Sequence, residues 1–242
     1  MRPFGCTLLG VAVIKLLRRL WQRHRWSVPL SLISAAFFIR LGFEVHENEL
    51  DAFDSAMQHV VDGWRGAFDA WMLLCTEGGS VLPMTFFTLV VLIVLLATRR
   101  RREVRFLLIS APGCLLLNVL LKAAFHRARP DAELPYLLPR PTSLSFPSGH
   151  TMGSVGVIGS LIVIVRVLRP HRAVWVSAAL LGTVLILSVA LSRVYLGAHY
   201  PSDVLGGLFA GFAWLSAVTG WVYPRLLPHE RVAQTQKRAP AG

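Results

Sequence analysis

The 242-residue chain is 54% hydrophobic and only 16% charged, and it carries a formal net charge of +12 at pH 7. Soluble domains contain about 25% charged residues, so this composition predicts a membrane protein and excludes a disordered chain. A positive surplus indicates nucleic-acid binding in a soluble protein, but in a membrane protein it is expected first in the cytoplasmic loops.

Apolar runs predict six membrane-spanning helices, because a bilayer core of about 30 Å needs about 20 apolar residues in a helix. The first run, Ser27 to Phe43, is marginal, since it contains Pro29 and Arg40. The next are Ser80 to Thr98, Phe106 to Leu121 (with Val104 as a possible earlier start), Thr151 to Leu168 (with a snorkelling Arg166), Ala173 to Ser192 and Val204 to Pro224. The predicted fold is therefore all-α, a polytopic membrane protein with its six-helix domain at residues 27–224.

The segments on either side of this domain are basic. In residues 1–26 an apolar run, Leu8 to Leu17, precedes four arginines, a pattern typical of an amphipathic helix at the membrane surface. A cleaved signal peptide is the alternative, but most of its positive charges would precede the apolar run. Residues 225–242 form a basic tail. We expect both segments to be cytoplasmic.

The distribution of Lys and Arg predicts the orientation in the membrane. With six spans, the termini and the loops on their side carry 18 of these residues, whereas the opposite side carries six. By the positive-inside rule both termini face the cytoplasm of a multi-pass inner-membrane protein, and no nucleic-acid partner is needed to explain the charge. The first outer loop, Glu44 to Gly79, is instead acidic.

Three polar segments follow or precede the predicted spans on the outer side, at residues 122–130, 147–150 and 192–203. Since the topology brings all three out on the same face of the membrane, we expect them to form one site. The residues in these segments that could bind a ligand or take part in a reaction are Lys122, Arg129, Ser148, Gly149, His150, Arg193, His199 and Asp203.

These residue types predict an anion site that contains a nucleophile. Unpaired cations at a membrane boundary are costly, so the Lys and Arg side chains favour an anionic ligand such as phosphate. Ser148 stands where a helix N-cap belongs, which would point the backbone N–H groups of Gly149 and His150 at that ligand. His199 and Asp203 are four residues apart, so the carboxylate can accept from one ring nitrogen and leave the other as a lone pair. His150 is then free to act as a general acid.

The same segments resemble the K-x6-RP, P-S-G-H and S-R-x5-H-x3-D signatures of the type 2 phosphatidic acid phosphatase (PAP2) superfamily, which also includes the vanadium haloperoxidases. The resemblance covers Lys122 to Asp203 with every signature position filled. It implies hydrolysis of a phosphomonoester or diphosphate through a phosphohistidine, without a metal or other cofactor. The implied catalytic residues are His199 as the nucleophile, Asp203 as its orienting partner and His150 as the acid. The implied phosphate-binding residues are Lys122, Arg129, Ser148, Gly149 and Arg193.

Other polar residues near the signatures are interpreted differently. His126 and Arg127 occupy variable positions of the first signature, so we interpret them as residues of the membrane interface. Asp131 and Glu133 lie in a proline-rich loop without further ligands, so no metal site is predicted there.

A site at the ends of membrane spans lies at headgroup depth, which predicts a lipid phosphate as the substrate and membrane lipids as the surroundings. Undecaprenyl diphosphate, phosphatidylglycerophosphate, phosphatidate and phosphorylated lipid A all fit the three segments. The alternatives are a phosphatase of a soluble phosphoester, a haloperoxidase, and a non-catalytic phospholipid binder or transporter. A binder or transporter would not need an oriented His199 or a second histidine at position 150. The sequence does not predict an oligomeric state.

Overall fold

The computed structural model describes residues 26–130, 142–168 and 171–223. Within these residues the regular structure is entirely helical. The predicted amphipathic segment, apart from its last residue, and the basic tail at 225–242 lie outside the described residues. The helices, in chain order, are α1 (Ser27–His46), α2 (Asp51–Asp62), α3 (Asp69–Gly78), α4 (Val81–Ala97), α5 (Arg101–Phe125), α6 (Gly149–Leu168), α7 (Arg172–Tyr195) and α8 (Pro201–Val222).

Five of these helices, α1, α5, α6, α7 and α8, are long and apolar enough to cross a bilayer. Helices α3 and α4 form a pair bent by 53°, which supplies a sixth crossing if the pair counts as one span. The prediction of an all-α, multi-pass membrane protein is confirmed, and the marginal first run forms a helix of full spanning length. Helix α6 contains a π-helical turn at Val155–Gly159.

The acidic segment between α1 and α4 was expected to be a loop, but it is largely helical. Helix α1 continues to His46, and α2 and α3 follow it. Asp51 and Asp54 occupy the first turn of α2, where a negative charge is favourable beside the unpaired N–H groups of the helix start. The abundance of acidic residues therefore reflects helix starts and buried contacts as well as exposure to water.

Helix α8 organises the bundle. It packs most extensively against α1 and also contacts α2, α5, α6 and α7. A Cβ atom at Gly207 would lie 2.8 Å from the backbone oxygen of Ser148, so the glycine permits α8 to touch the start of α6. An apolar cluster that includes Phe106, Leu107 and Leu215 fills the end of the bundle where α5 begins and α8 ends. As a result, the end of α5, the start of α6, the end of α7 and the start of α8 meet at one end of the protein.

Candidate active site

Backbone hydrogen bonds join the three predicted site segments where these four helix ends meet. The N–H of Ser148 donates to the carbonyl of Asp203 at 2.9 Å, which connects the start of α6 to the first turn of α8. The N–H of Ser145 donates to the carbonyl of Arg127 at 2.8 Å, which connects the segment before α6 to the segment after α5. The structure therefore brings the predicted residues of all three segments into one region.

The start of α6 presents backbone donors. Ser148 is the N-cap residue with extended backbone angles, and its hydroxyl accepts from Thr151 at 3.1 Å instead of capping the helix. The N–H groups of the first turn have no acceptor inside the helix, so they can bind an anion. Asn118 of α5 steadies this turn by donating to the carbonyl of Pro147 at 3.1 Å. A Cβ at Gly149 would lie 3.0 Å from the side-chain oxygen of Asn118, so a larger residue there would require the Asn118 side chain to shift.

Lys122 and Arg129 bind the segment before α6 through hydrogen bonds to residues 143–145. The amino group of Lys122 donates to the backbone carbonyls of residues 144 and 145. The Arg129 guanidinium donates to the carbonyl and hydroxyl of Ser143 at 2.7 and 2.9 Å, and to the carbonyl of Ala198 at 2.5 Å. Burial lowers the pKa of Arg129, while the charge of Asp203 acts in the opposite direction.

Arg193, in the last turn of α7, is 4% exposed. One of its terminal nitrogens donates to the hydroxyl of Thr76 on α3, whereas its Nε atom is buried with no acceptor among the described residues. A buried guanidinium N–H without an acceptor is costly, and a phosphate oxygen would satisfy it. The carbonyl of Arg193 accepts the N–H groups of Ala198 and His199, and Gly197 makes this turn with a φ of 65°.

His199 is 1% exposed, and its two ring nitrogens have different partners. Nδ1 lies 3.3 Å from Oδ2 of Asp203, and Nε2 lies 3.2 Å from a terminal nitrogen of Arg129. A guanidinium can only donate, so the contact with Arg129 requires a lone pair on Nε2. The proton then resides on Nδ1 and is donated to Asp203. This is the tautomer in which Nε2 can act as a nucleophile.

The protonation state of His199 suits the same role. Burial lowers its pKa to about 4, although the hydrogen bond to Asp203 and the charge of that carboxylate raise it. Arg129 and Arg193 add to the lowering, because a second positive charge nearby is unfavourable. The imidazole is therefore neutral at pH 7, and its lone pair is available.

Asp203, in the first turn of α8, is fully buried and accepts hydrogen bonds at both oxygens. Oδ2 accepts from the hydroxyl of Ser145, from the backbone N–H of Tyr200 at 3.0 Å and from His199. Oδ1 accepts from Arg127 at 2.8 Å. Ser145 was not singled out in the sequence, although it lies two residues before the P-S-G-H segment. These contacts hold the carboxylate in one orientation against the imidazole.

Arg127, which the sequence analysis interpreted as a residue of the membrane interface, has its side chain directed into the protein and paired there. Its side chain is 13% exposed and makes 2.8 Å ion pairs with Asp203 and with Asp54 of α2. Its guanidinium also lies over the ring of Tyr200, 4.2 Å from the centroid. No local partner for this cation is visible in the sequence, because Asp54 is 73 residues away. His126, which ends α5 with a φ of 49°, is exposed.

His150 lies in the first turn of α6, within electrostatic range of His199, Lys122, Arg129 and Arg193. Its ring makes no hydrogen bond to another described residue, so it is available to a ligand placed between these groups. The described residues also contain no group of three or more His, Cys, Asp and Glu side chains that could hold a metal ion. Asp131 and Glu133 lie outside the described residues.

Comparison with known proteins identifies a family and its members that resemble this chain. Residues 106–226 match the sequence profile of the PAP2 superfamily. Phosphatidylglycerophosphatase B of Bacillus subtilis (strain 168) is 29% identical over 201 residues, which cover 80% of this chain and 94% of that protein. Undecaprenyl-diphosphatase BcrC of the same organism is 28% identical over 152 residues, which cover 62% of this chain and 72% of that protein.

A solved structure also resembles the chain along most of its length. The crystal structure of a transmembrane PAP2 type phosphatidylglycerolphosphate phosphatase from Bacillus subtilis superposes with a TM-score of 0.72 at 26% sequence identity. The match covers 79% of this chain and 95% of the other. The likeness therefore includes helices that precede the residues of the profile match.

Proposed function

Since the chain belongs to the PAP2 superfamily, we propose that it hydrolyses a lipid phosphate or diphosphate at the outer face of the cytoplasmic membrane, through a phosphohistidine at His199. The chain is a multi-pass membrane protein and a phosphatase of the PAP2 type, a class that hydrolyses lipid phosphates. The proposal adds the reaction path, the side of the membrane and the substrate.

The different contacts of the two His199 ring nitrogens, Nδ1 with Asp203 and Nε2 with Arg129, are the observation that carries the reaction path. Nε2 attacks phosphorus, so that an N–P bond forms while the bond to the lipid oxygen breaks. Asp203 accepts from Nδ1 and stabilises the positive charge that develops on the ring. His150 donates a proton to the leaving oxygen. Water then attacks the phosphohistidine, His150 takes the proton back from this water, and inorganic phosphate leaves.

Cationic groups around the two histidines are suited to hold the phosphoryl oxygens. Lys122, Arg129 and Arg193 carry the positive charge, and the first-turn N–H groups of α6 add directed donors. In the resting structure an N–H of Arg129 covers the lone pair of His199. A bound phosphate offers this guanidinium a stronger, charged acceptor, which would free Nε2 for attack.

The outer location and the lipid substrate are supported by the sequence and by the position of the site. The site lies at the end of the bundle opposite to the arginine-rich turn between α4 and α5, and the positive-inside rule assigns that turn to the cytoplasm. Phosphatidylglycerophosphate is the first substrate to test, because the relative named for it aligns over 94% of its own length. Undecaprenyl diphosphate is the second.

The direct test is phosphate release from a panel of lipids by the purified protein in detergent. The panel contains phosphatidylglycerophosphate, undecaprenyl diphosphate and phosphatidate, with a soluble sugar phosphate as the comparison. We expect release from at least one lipid, loss of release in His199→Ala and full release in the exposed control His59→Ala. Binding of a lipid without release would indicate the alternative, a binder or transporter, whereas a preference for the sugar phosphate would contradict the lipid substrate.

The metal-free path is tested in the same assay. Asp203 and Asp54 both pair with Arg127, whose positive charge disfavours a metal cation beside them. Activity should persist in excess chelator, and vanadate should inhibit as a mimic of the pentacoordinate transition state. Loss of activity in EDTA with recovery in magnesium would contradict this path.

Leaving groups separate the roles of the two histidines. His150→Ala removes the proton donor, a loss of roughly 10²- to 10⁴-fold that an activated aryl phosphate should largely restore. His199→Ala removes the nucleophile, so no substrate should restore it and no phosphoenzyme should form. A phosphoenzyme in His199→Ala would overturn the assignment.

A further inference from the structure

A second buried carboxylate lies behind the catalytic pair of His199 and Asp203. Asp54 belongs to α2, far outside the residues that match the family profile, and it is 2% exposed. A buried charge is retained only where it is paired and hydrogen-bonded, because its removal from water is costly. Its contacts therefore indicate what α2 contributes to the protein.

Every described hydrogen bond of the Asp54 side chain is made with the start of α8 or with Arg127. Oδ1 accepts the backbone N–H of Ser202 at 2.8 Å. Oδ2 accepts the hydroxyl of Ser202 at 2.6 Å and the guanidinium of Arg127 at 2.8 Å. The other terminal nitrogen of Arg127 donates to Ser202 and to Oδ1 of Asp203. One guanidinium thus bridges two carboxylates, and its planar fork fixes their separation.

We propose that Asp54 and Arg127 are positioning residues that set the orientation and the net charge of the carboxylate facing His199. The proposal rests on the function proposed for His199. Neither residue touches the reacting atoms, so both act through Asp203. Helix α2, which the sequence indicated to be part of an acidic loop, is on this reading a component of the active site.

The charges explain why two carboxylates are used with one arginine. Asp54, Asp203 and Arg127 together carry a net charge of −1, which remains to stabilise the positive charge that develops on His199. Arg127 alone with Asp203 would form a neutral pair and would weaken that stabilisation. Asp203 without Arg127 would lose one of the donors that hold it in place.

A purely structural role is the alternative, in which Asp54 only caps the N-terminus of α8. Both roles would predict some loss of stability when Asp54 is replaced. Only the positioning role predicts that kcat falls while KM is retained, and that the acidic limb of the kcat/KM profile moves with the charge of the cluster.

The pH profile is decisive because its acidic limb reports His199. Among the described residues, the charged and titratable groups that face His199 are Asp203 from α8, Arg129 from the segment after α5, Arg193 from α7 and His150 from α6. Arg127→Gln changes the net charge of the cluster from −1 to −2 and should move the limb upward, on the order of one pH unit. Asp54→Asn changes it to 0 and should move the limb downward. The double variant returns to −1 and should lie near the wild type.

The rates provide the second readout. Arg127→Gln should lower kcat about 10- to 100-fold, the usual effect of losing a hydrogen bond to a charged group, with KM changed less than about threefold. Arg127→Lys keeps the charge but cannot bridge both carboxylates, so its limb should stay in place while kcat recovers in part. The matched controls are Arg40→Gln, which breaks the ion pair of the 78% exposed Arg40 side chain with Glu44, and Asp51→Asn at the exposed start of α2. Both controls should behave as the wild type.

The outcomes distinguish failure of the positioning role of Asp54 and Arg127 from failure of the function proposed for His199. The positioning role is supported if the acidic limb lies at the highest pH in Arg127→Gln and at the lowest pH in Asp54→Asn. The limbs of the wild type and the double variant should lie together between these two. Limbs that move in the same direction, or not at all, would overturn the positioning role, as would loss of vanadate inhibition together with kcat, because that loss shows collapse of the whole site. A fully active His199→Ala would instead refute the function proposed for His199 itself.

Discussion

Burial of His199 predicts an unusual pH dependence. The pKa of its ring is lowered to about 4, because burial disfavours the imidazolium form. The neutral, nucleophilic form is present above this pKa and is lost as the pH falls through it. We therefore expect kcat/KM to remain on its plateau down to about pH 5 and to fall only near pH 4.

The size of the effect follows from the pKa. With a pKa of about 4, about 90% of His199 is neutral at pH 5. With the ordinary histidine value of about 6.5, only about 3% would be neutral at that pH. The ratio of kcat/KM at pH 5 to its plateau value therefore differs by roughly 30-fold between the two cases, well outside the error of a phosphate-release assay.

The assay measures phosphate release at low substrate concentration between about pH 3.5 and 8. The second ionisation of a phosphomonoester, near pH 6, also enters this profile. Two substrates with different leaving groups separate the contributions, since the limb of the enzyme keeps its position when the substrate changes. Incubation at each pH followed by assay at pH 7 controls for irreversible unfolding. A limb near pH 6.5 with both substrates would refute the reasoning from burial.

Three further predictions concern the anion site, the packing of α8 and the orientation. Thr76→Val removes the hydroxyl that accepts from Arg193 and should raise KM about 3- to 10-fold with kcat nearly unchanged; an unchanged KM would show that Thr76 does not position the guanidinium. Gly207→Ala places a Cβ 2.8 Å from a backbone oxygen and should cost about 1–3 kcal/mol, measured as a lower unfolding temperature in detergent, and an unshifted temperature would contradict the close approach. In a cysteine-free background, a cysteine at the exposed Thr142 should react with an impermeant thiol reagent in intact cells, while one in the α4–α5 turn should react only after lysis. The opposite pattern would reverse the orientation.

The membrane helices are the part of the fold that the sequence predicts best. A bilayer requires long apolar runs, so each run indicates a helix without knowledge of its partners. Even Arg40 inside the first run does not interrupt α1, since it is 78% exposed and pairs with Glu44 at 2.8 Å, one turn nearer to the helix end. The three signature segments are likewise readable, because their spacing is local. The roles of their residues stay predictions until the variants are measured.

Residues that act through distant partners are not readable in this way. Asp54 and Thr76 contact Arg127 and Arg193 across 73 and 117 residues, and pairing at such separations leaves no periodic pattern. Asn118 is different, because it precedes Lys122 by one helical turn and so shares its face of α5. A polar residue on the same face as a predicted ligand, inside an otherwise apolar run, was a usable signal.

The balance of charge explains how so many cations can lie together at the edge of a membrane. Among the described residues, the cationic groups of the site are Lys122, Arg127, Arg129 and Arg193, and they face the carboxylates of Asp54 and Asp203. The surplus of two positive charges equals the charge of a phosphomonoester dianion. Arg127 and its two carboxylates together carry a net charge of −1. The other three cations carry +3 and surround the place where the two histidines meet. Binding of the substrate phosphate therefore satisfies the charges that the protein leaves unpaired, and Asp203 lies beside the ring of His199, where positive charge develops during the attack.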